Sequence, residues 1–157
     1  MVCVEADKDL SRLVQANLEL NNLNFNATII NAAVVGRTSG VEHTLFAHSA
    51  DNTVGHLSDA RSGDSVSKVL AITFDDIVQQ ASFDRYALVC DIEGAEWDVF
   101  RRSAELAKCS LLIVELHKVE HDPNRSDFNS LLIALRQSFG LEVTDCYGPV
   151  FVLKKFS

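Results

Sequence analysis

The stretch YALVCDIEGAE, residues 86–96, decides the fold of this chain. Its first five residues form a short apolar run, and Asp91 and Glu93 follow before Gly94 turns the chain. A short apolar run that ends at a turn is typical of a parallel strand covered on both faces. Ligands of open α/β sheets bind outside the carboxyl ends of the strands. The two acids are therefore predicted to lie where binding or chemistry takes place.

Strands and helices alternate on both sides of this stretch. Strands are predicted at 1–6, 27–35, 68–74, 86–90 and 110–116, followed by the pair 141–146 and 150–154, which a Gly-Pro turn joins. Helices are predicted at 7–20, 75–81, 95–108 and 127–139. This order predicts one domain over residues 1–157 with an α/β fold, a mostly parallel sheet and a C-terminal antiparallel hairpin. Residues 36–67, rich in Ser, Gly, Asp and His, are predicted to form a loop-rich insert that is either a lid or partly strand.

Apolar periodicity predicts which helix faces are buried. For the first helix, capped by Asp7, the predicted inward residues are Leu10, Leu13, Val14 and Leu18. For the helix at 95–108 they are Trp97, Phe100, Ala104 and Ala107. For the last helix, which should end at Gly140, they are Phe128, Leu131, Leu132, Leu135 and Phe139.

Composition excludes several classes of protein. The 157 residues carry a net charge of −8, which argues against a basic groove for nucleic acid and against binding to an anionic membrane surface. No apolar run approaches the ~20 residues that span a bilayer, and the N-terminus shows no signal-peptide pattern. The four cysteines form no CxxC motif and lie in or beside apolar runs. These features predict a cytoplasmic protein with reduced cysteines.

Polar residues at three predicted strand ends are the candidates for chemistry. Glu5 closes the first strand, where an acid could accept hydrogen bonds from ribose hydroxyls or could simply favour the helix N-terminus. Asp91 and Glu93 follow the strand at 86–90, and Glu115 and His117 repeat that spacing on the next strand. The four could bind Mg²⁺ or Mn²⁺ or act as an acid/base pair. Alternatively, Asp91 and Glu93 cap the next helix. Three further histidines fall in the insert at spacings that match no familiar metal motif: His43, His48 and His56.

Several stretches together resemble the FkbM-type family of S-adenosylmethionine-dependent methyltransferases. They are VCVEADKDL (2–10), NLELNN (17–22), NAAVVG (31–36), ITFDDIV (72–78), DIEGAEWDVF (91–100) and LLIVELH (111–117). The DIEGAE block is the most specific of them. In order and spacing they span nearly the whole chain.

The resemblance implies a Rossmann-like class I methyltransferase sheet with S-adenosylmethionine as cofactor. It places Glu5 at the cofactor ribose, Ala32 and Ala33 near the adenine, and Asp91 beside the methionine part and the substrate. The implied reaction is O-methylation of a sugar or another natural-product-like small molecule. Asp91, Glu93 and His117 are the candidate catalytic residues because of their position, and no metal is assigned.

One departure from the family pattern concerns the residues before position 2. Members of this fold have an earlier strand and a glycine-rich loop, whereas the first glycine here is Gly36. We expect the domain to be N-terminally incomplete in this sense, which exposes sheet edges through which a homo-oligomer could form. Two other functions stay open: a catalytically inactive methyltransferase-fold fragment or binding domain, and a divalent-metal hydrolase that uses Asp91, Glu93, Glu115 and His117.

Overall fold

The computed structural model describes residues 1–37, 43–48, 55–56, 65–118 and 127–156, and it shows a mixed α/β fold. The described strands are β1 (Val2–Glu5), β2 (Thr28–Asn31), β3 (Ala33–Val35), β4 (His43–His48), β5 (Gly55–His56), β6 (Ser65–Thr73), β7 (Tyr86–Cys90), β8 (Cys109–Glu115), β9 (Leu141–Tyr147) and β10 (Val150–Lys155). The described helices are α1 (Lys8–Leu20), α2 (Phe74–Ala81), α3 (Glu96–Arg102) and α4 (Phe128–Phe139), with 3₁₀ turns at Asn24–Asn26 and Glu105–Lys108.

The described strands form three sheets. β1 pairs with β2 in parallel, β3-β6-β4-β5 form a second sheet, and β7-β8-β10-β9 form the third. Within these sheets β3 is parallel to β6 and β7 is parallel to β8. The β9–β10 pair is antiparallel at the sheet edge, which confirms the predicted C-terminal hairpin.

Two predictions about the strands were wrong. The apolar run at 27–35 is two strands rather than one, because β2 pairs with β1 whereas β3 pairs with β6, and the chain changes sheets at Ala32. The sheet was also predicted to be mostly parallel. The insert contributes β4 and β5, which pair antiparallel with each other and with β6, so parallel and antiparallel pairs are both frequent in the described residues. The insert at 36–67 was predicted to be either a lid or partly strand, and β4, β5 and the start of β6 at Ser65 confirm that it is partly strand.

Strand β7 differs from a parallel strand that is covered on both faces. Cys90 is buried, but Ala87 is exposed and Val89 is 75% exposed. β7 lies at the edge of its sheet, and no described strand pairs with the side that faces away from β8. The alternation along β7 therefore reflects one packed face and one open face.

Helix α4 follows its sequence prediction closely. Asp127 caps its N-terminus by accepting a hydrogen bond from the Ser130 amide, and Gly140 ends it with a φ of 69°. Its residues Leu131 and Leu135 are buried. An apolar stripe combined with local caps was enough to define this helix from sequence.

The other long helices needed corrections. Helix α1 has the predicted Asp7 cap, but Leu10 and Leu13 are exposed, and the buried side chains are Ser11 and Leu18. Its packed face is thus rotated from the one that leucine spacing predicted.

Helix α3 ends at Arg102 rather than continuing to 108. The Asp75 carboxylate accepts hydrogen bonds from the Ser103 hydroxyl and from the amides of Ala104 and Glu105. Ser103 is consequently extended, and a separate 3₁₀ turn follows. Leu106 is buried there instead of the predicted Ala104 and Ala107.

The main core lies between the β7–β10 sheet and helices α3 and α4. Its fully buried members include Phe100, Leu106, Leu112, Leu131, Leu135, Leu141 and Leu153. Ala32, Ile72 and Ile77 form a smaller second core. Gly36 lets the chain pass close to α3, because a Cβ atom there would lie 2.5 Å from the Asp98 carbonyl oxygen. Among the described residues, none of the helices is long and apolar enough to cross a membrane.

Truncating a buried leucine of α4 should cost far more stability than truncating an exposed isoleucine on the same helix. We expect Leu131→Ala to lower the free energy of unfolding by about 2–5 kcal/mol because it leaves a cavity in a close-packed core. Ile133→Ala, at a site that is 54% exposed, should change it by less than about 1 kcal/mol. Urea denaturation followed by circular dichroism measures both values. Equal losses would contradict the assignment of the core.

Candidate functional site

The segment from Asp91 to Glu96 turns the chain sharply between β7 and α3. Glu93 has a φ of 52° and Gly94 a φ of 97°, so two consecutive residues adopt left-handed conformations. Glycine does so readily, whereas for glutamate this conformation is uncommon. The turn presents Asp91 and Glu93 at the end of β7, as the sequence predicts.

Glu96 organises this turn from the inside. It is 1% exposed, and its Oε1 accepts hydrogen bonds from the Ile92 amide at 3.3 Å and the Gly94 amide at 3.2 Å. Helix α3 begins at Glu96 without a side-chain cap, so the alternative in which Asp91 and Glu93 cap this helix was wrong. Glu96 was not among the site residues predicted from the sequence. The sequence feature that could have indicated Glu96 is the third acid of DIEGAE, which falls in the first turn of the predicted helix.

His117, just beyond the end of β8, completes the cluster. Its Nδ1 lies 3.0 Å from Glu96 Oε1, and its Nε2 lies 3.3 Å from Glu93 Oε2. The same Nε2 is 3.9 Å from Asp91 Oδ1 and 3.9 Å from Glu115 Oε1. Four carboxylates from the two neighbouring strand ends therefore surround one imidazole.

The field of this cluster favours protonation. Burial alone would lower the pKa of His117, but the hydrogen bond to Glu96 and the negative charges of Glu96, Glu93 and Asp91 raise it above its ordinary value. Desolvation raises the pKa of Glu93, and the acids Asp91, Glu96 and Glu115 raise it further, against the lowering effect of His117. Both groups hold protons more tightly than they would in water.

The end of β1 forms a second polar group. Glu5 Oε1 accepts a hydrogen bond of 2.7 Å from the Asp7 amide, and Asp7 in turn caps helix α1. The Asn31 side-chain amide donates to the backbone carbonyls of Glu5 and Ala6 at 2.8 and 3.0 Å. These bonds hold the ends of β1 and β2 together and fix the position of the Glu5 carboxylate.

The predicted residues Ala32 and Ala33 lie beside this group, but their side chains are 1% and 2% exposed. The Ala32 amide donates to the Glu5 carbonyl at 3.0 Å. Both residues, backbone included, therefore offer almost no accessible surface to a ligand in this structure.

An apolar cleft of about 350 Å³ separates β1 from β7. Its lining includes Val2 and Val4 on one side and Leu88, Val89 and Asp91 on the other. Asp91 is thus shared between the cleft and the carboxylate–imidazole cluster.

The family comparison fits these strand ends. A profile described as the Methyltransferase FkbM domain matches residues 2–140. The chain belongs to the FkbM methyltransferase family. A search of curated proteins and a search of solved structures return no match. The match to the FkbM domain includes both strand-end groups and the turn at Asp91–Glu96, and it confirms the family that the sequence motifs indicated.

The site residues that were predicted from the sequence fall into two groups. Asp91, Glu93 and His117 come together, while Glu5, Ala32 and Ala33 form the group at the end of β1. The side chains of His43, His48 and His56 lie outside the part of the chain that the structure describes.

Removing the charge of Glu96 should lower the pKa of His117, because that carboxylate is the first of the groups that raise it. In metal-free protein we expect Glu96→Gln to shift the imidazole titration to lower pH in an NMR experiment. A raised pKa in the folded state means that protonated His117 stabilises the fold at acidic pH and that this contribution is lost as the pH rises through that pKa. The free energy of unfolding of Glu96→Gln should therefore fall less than that of the wild type as the pH rises through that range.

Glu19→Gln serves as the control, since Glu19 is an exposed acid on α1. An unchanged titration of His117 in Glu96→Gln would show that the contact between the two residues does not govern its protonation.

Proposed function

We propose that the chain is an S-adenosylmethionine-dependent methyltransferase that methylates a hydroxyl oxygen of a small molecule such as a sugar. The FkbM family match supports methyl transfer, and the observation that carries the proposal further is the cluster of Asp91, Glu93 and His117 at the end of β7 and β8. The proposed architecture is one Rossmann-like class I domain over residues 1–157, in which β1 and β7 flank the cleft.

The cofactor would bind across the ends of β1, β3 and β7. A carboxylate has two oxygens, and the bond from the Asp7 amide holds one of them in Glu5, which leaves the other to accept ribose hydroxyls. The adenine would lie near Ala32 and Ala33, and because these two residues are almost fully buried it would contact mainly their neighbours. The methionine part and the substrate would lie beside Asp91, which lines the cleft.

The chemical step would be a displacement at the methyl carbon. The acceptor oxygen forms a bond to that carbon while the carbon–sulfur bond breaks, and S-adenosylhomocysteine leaves. For this the oxygen must lie in line at ~3–3.5 Å. The hydroxyl proton would pass to Glu93 or His117, with Asp91 as a third candidate. A general base works best when its pKa is close to the operating pH, and the raised pKa of Glu93 favours that residue.

A binding domain without catalysis is the second candidate. The open edge of β7, with Val89 75% exposed beside the cleft, would accept an added strand from a second copy of the chain. Such a homo-oligomer would use backbone hydrogen bonds and the apolar cleft, and it would not need the carboxylate cluster.

The proposed cofactor site is tested by calorimetry with S-adenosylhomocysteine. We expect Glu5→Ala to weaken binding by about 10- to 100-fold, because it removes charge-assisted hydrogen bonds worth about 1.5–3 kcal/mol. Asp9→Ala is the matched control, because it removes an exposed acid of α1 that pairs with the exposed Arg12. Absence of binding by the folded wild-type chain would contradict the cofactor assignment.

A transfer assay tests the catalytic cluster. With tritiated S-adenosylmethionine and a panel of hydroxylated glycosides, we expect Asp91→Asn to reduce methyl transfer by at least about 100-fold, because Asp91 would position the methyl donor and the acceptor beside each other. S-adenosylhomocysteine binding separates this loss from a loss of cofactor. Turnover at the wild-type rate in Asp91→Asn would remove Asp91 from the mechanism.

A further inference from the structure

The carboxylate–imidazole cluster has more acids than methyl transfer requires. One proton acceptor is enough for an O-methylation, yet Asp91, Glu93 and Glu115 all approach the same His117 Nε2 atom. Asp91, Glu93 and His117 each offer one ligand atom, and these atoms lie within 4.8 Å of one another. The close approach of three acids to one imidazole nitrogen therefore needs an explanation other than proton acceptance.

The distances fit a shared cation. Metal–ligand bonds of about 2.1 Å place neighbouring ligand atoms of an octahedral site about 3 Å apart and opposite ones about 4.2 Å apart. His117 Nε2 lies 3.3 Å from the Glu93 oxygen and 3.9 Å from the Asp91 oxygen, between these two values. Each of the two distances would have to change by about 0.3 Å to reach the nearer of these values around a cation.

Glu96 orients His117 in the way that a metal ligand requires. Its Oε1 already accepts two amide hydrogen bonds, so the third contact, at 3.0 Å, is made by a proton that Nδ1 of the imidazole donates. Ligating histidines commonly donate their second ring N–H to a carboxylate in this manner, which fixes the ring and directs the other nitrogen to the metal. Glu96 is buried and is not one of the proposed ligands, so it would orient His117 without occupying a coordination position.

We propose that Asp91, Glu93 and His117 bind one divalent cation, with Glu115 near enough to join them. Two carboxylates with one imidazole suit a cation of intermediate hardness, and Mn²⁺ is the probe that this ligand set favours. The consequence for the reaction rests on the proposed function: an open coordination position would hold the acceptor hydroxyl and lower its pKa before methyl transfer. The acceptors would then be hydroxylated compounds that can coordinate a cation through oxygen.

The competing explanation for these distances involves no cation. A protonated imidazole paired with Glu93 would satisfy the same 3.3 Å contact and would need no metal. The two explanations predict different results when Mn²⁺ is added, because only a cation site would bind it in a saturable way.

Electron paramagnetic resonance of free Mn²⁺, titrated against the wild-type chain, tests the proposal without any methyl-transfer assay. We expect one saturable site, with affinity reduced at least about tenfold in Glu93→Gln and in His117→Gln. Glu96→Gln should reduce affinity by about 10- to 100-fold, as outer ligand partners commonly do. Circular dichroism confirms that each variant is folded.

Two controls make the result specific. Glu19→Gln removes an exposed acid of α1, and Glu5→Gln alters the proposed cofactor site, so both should bind Mn²⁺ as the wild type does. Absence of saturable binding, or binding that survives both Glu93→Gln and His117→Gln, would overturn the metal site. If the wild-type chain binds Mn²⁺ but does not bind S-adenosylhomocysteine, the proposed methyltransferase function is contradicted and the metal site is not.

Discussion

The hydrogen bonds of the buried Glu96 carboxylate hold the candidate site together. An ionised group that is 1% exposed would be strongly destabilising without partners, and here two amides of the preceding turn and the Nδ1 of His117 supply them. These contacts join three parts of the structure: the turn after β7, the start of α3 and the segment after β8. The left-handed backbone at Glu93 persists because the surrounding contacts determine it.

The open side of β7 sets the second constraint. Parallel strands are normally buried on both faces, yet Val89 is exposed and no described strand pairs with the edge of β7 opposite β8. β1, across the cleft, pairs only with β2 among the described strands. An apolar cleft between two strand edges offers both hydrogen-bonding groups and hydrophobic surface. It can receive an extended segment as well as a flat ligand, and these two uses compete for the same surface.

Sequence could predict the parts of this fold that depend on local chemistry. Helix α4 was predictable because its stripe, its Asp127 cap and its Gly140 end are all local. The buried face of α1 was not, since leucine spacing cannot show which side meets β1 and β2. The end of α3 at Arg102 also escaped prediction, because the Asp75 carboxylate that interrupts the helix comes from α2, 28 residues earlier in the chain.

The same distinction applies to the site. Strand-end position placed Asp91, Glu93, Glu115 and His117 near one another, because adjacent parallel strands end at the same edge of a sheet. Position could not identify Glu96, whose role depends on burial and on three contacts that form only in the folded chain. It also could not show that Ala32 belongs to the second core or that Ala33 is equally buried.

The excess of negative charge around His117 connects protonation with metal binding. Four carboxylates face one imidazole in a partly desolvated place, where charge interactions are stronger than in water. Desolvation raises the pKa of Glu93 and the neighbouring acids raise it further, while the hydrogen bond to Glu96 and the charges of the same cluster raise the pKa of His117. In both cases an added proton reduces the repulsion between the carboxylates. A divalent cation would reduce it in the same way while displacing the Nε2 proton. Protons and a cation are thus alternative partners for one set of atoms, and the acidity at which each dominates would determine when the site can hold an acceptor hydroxyl.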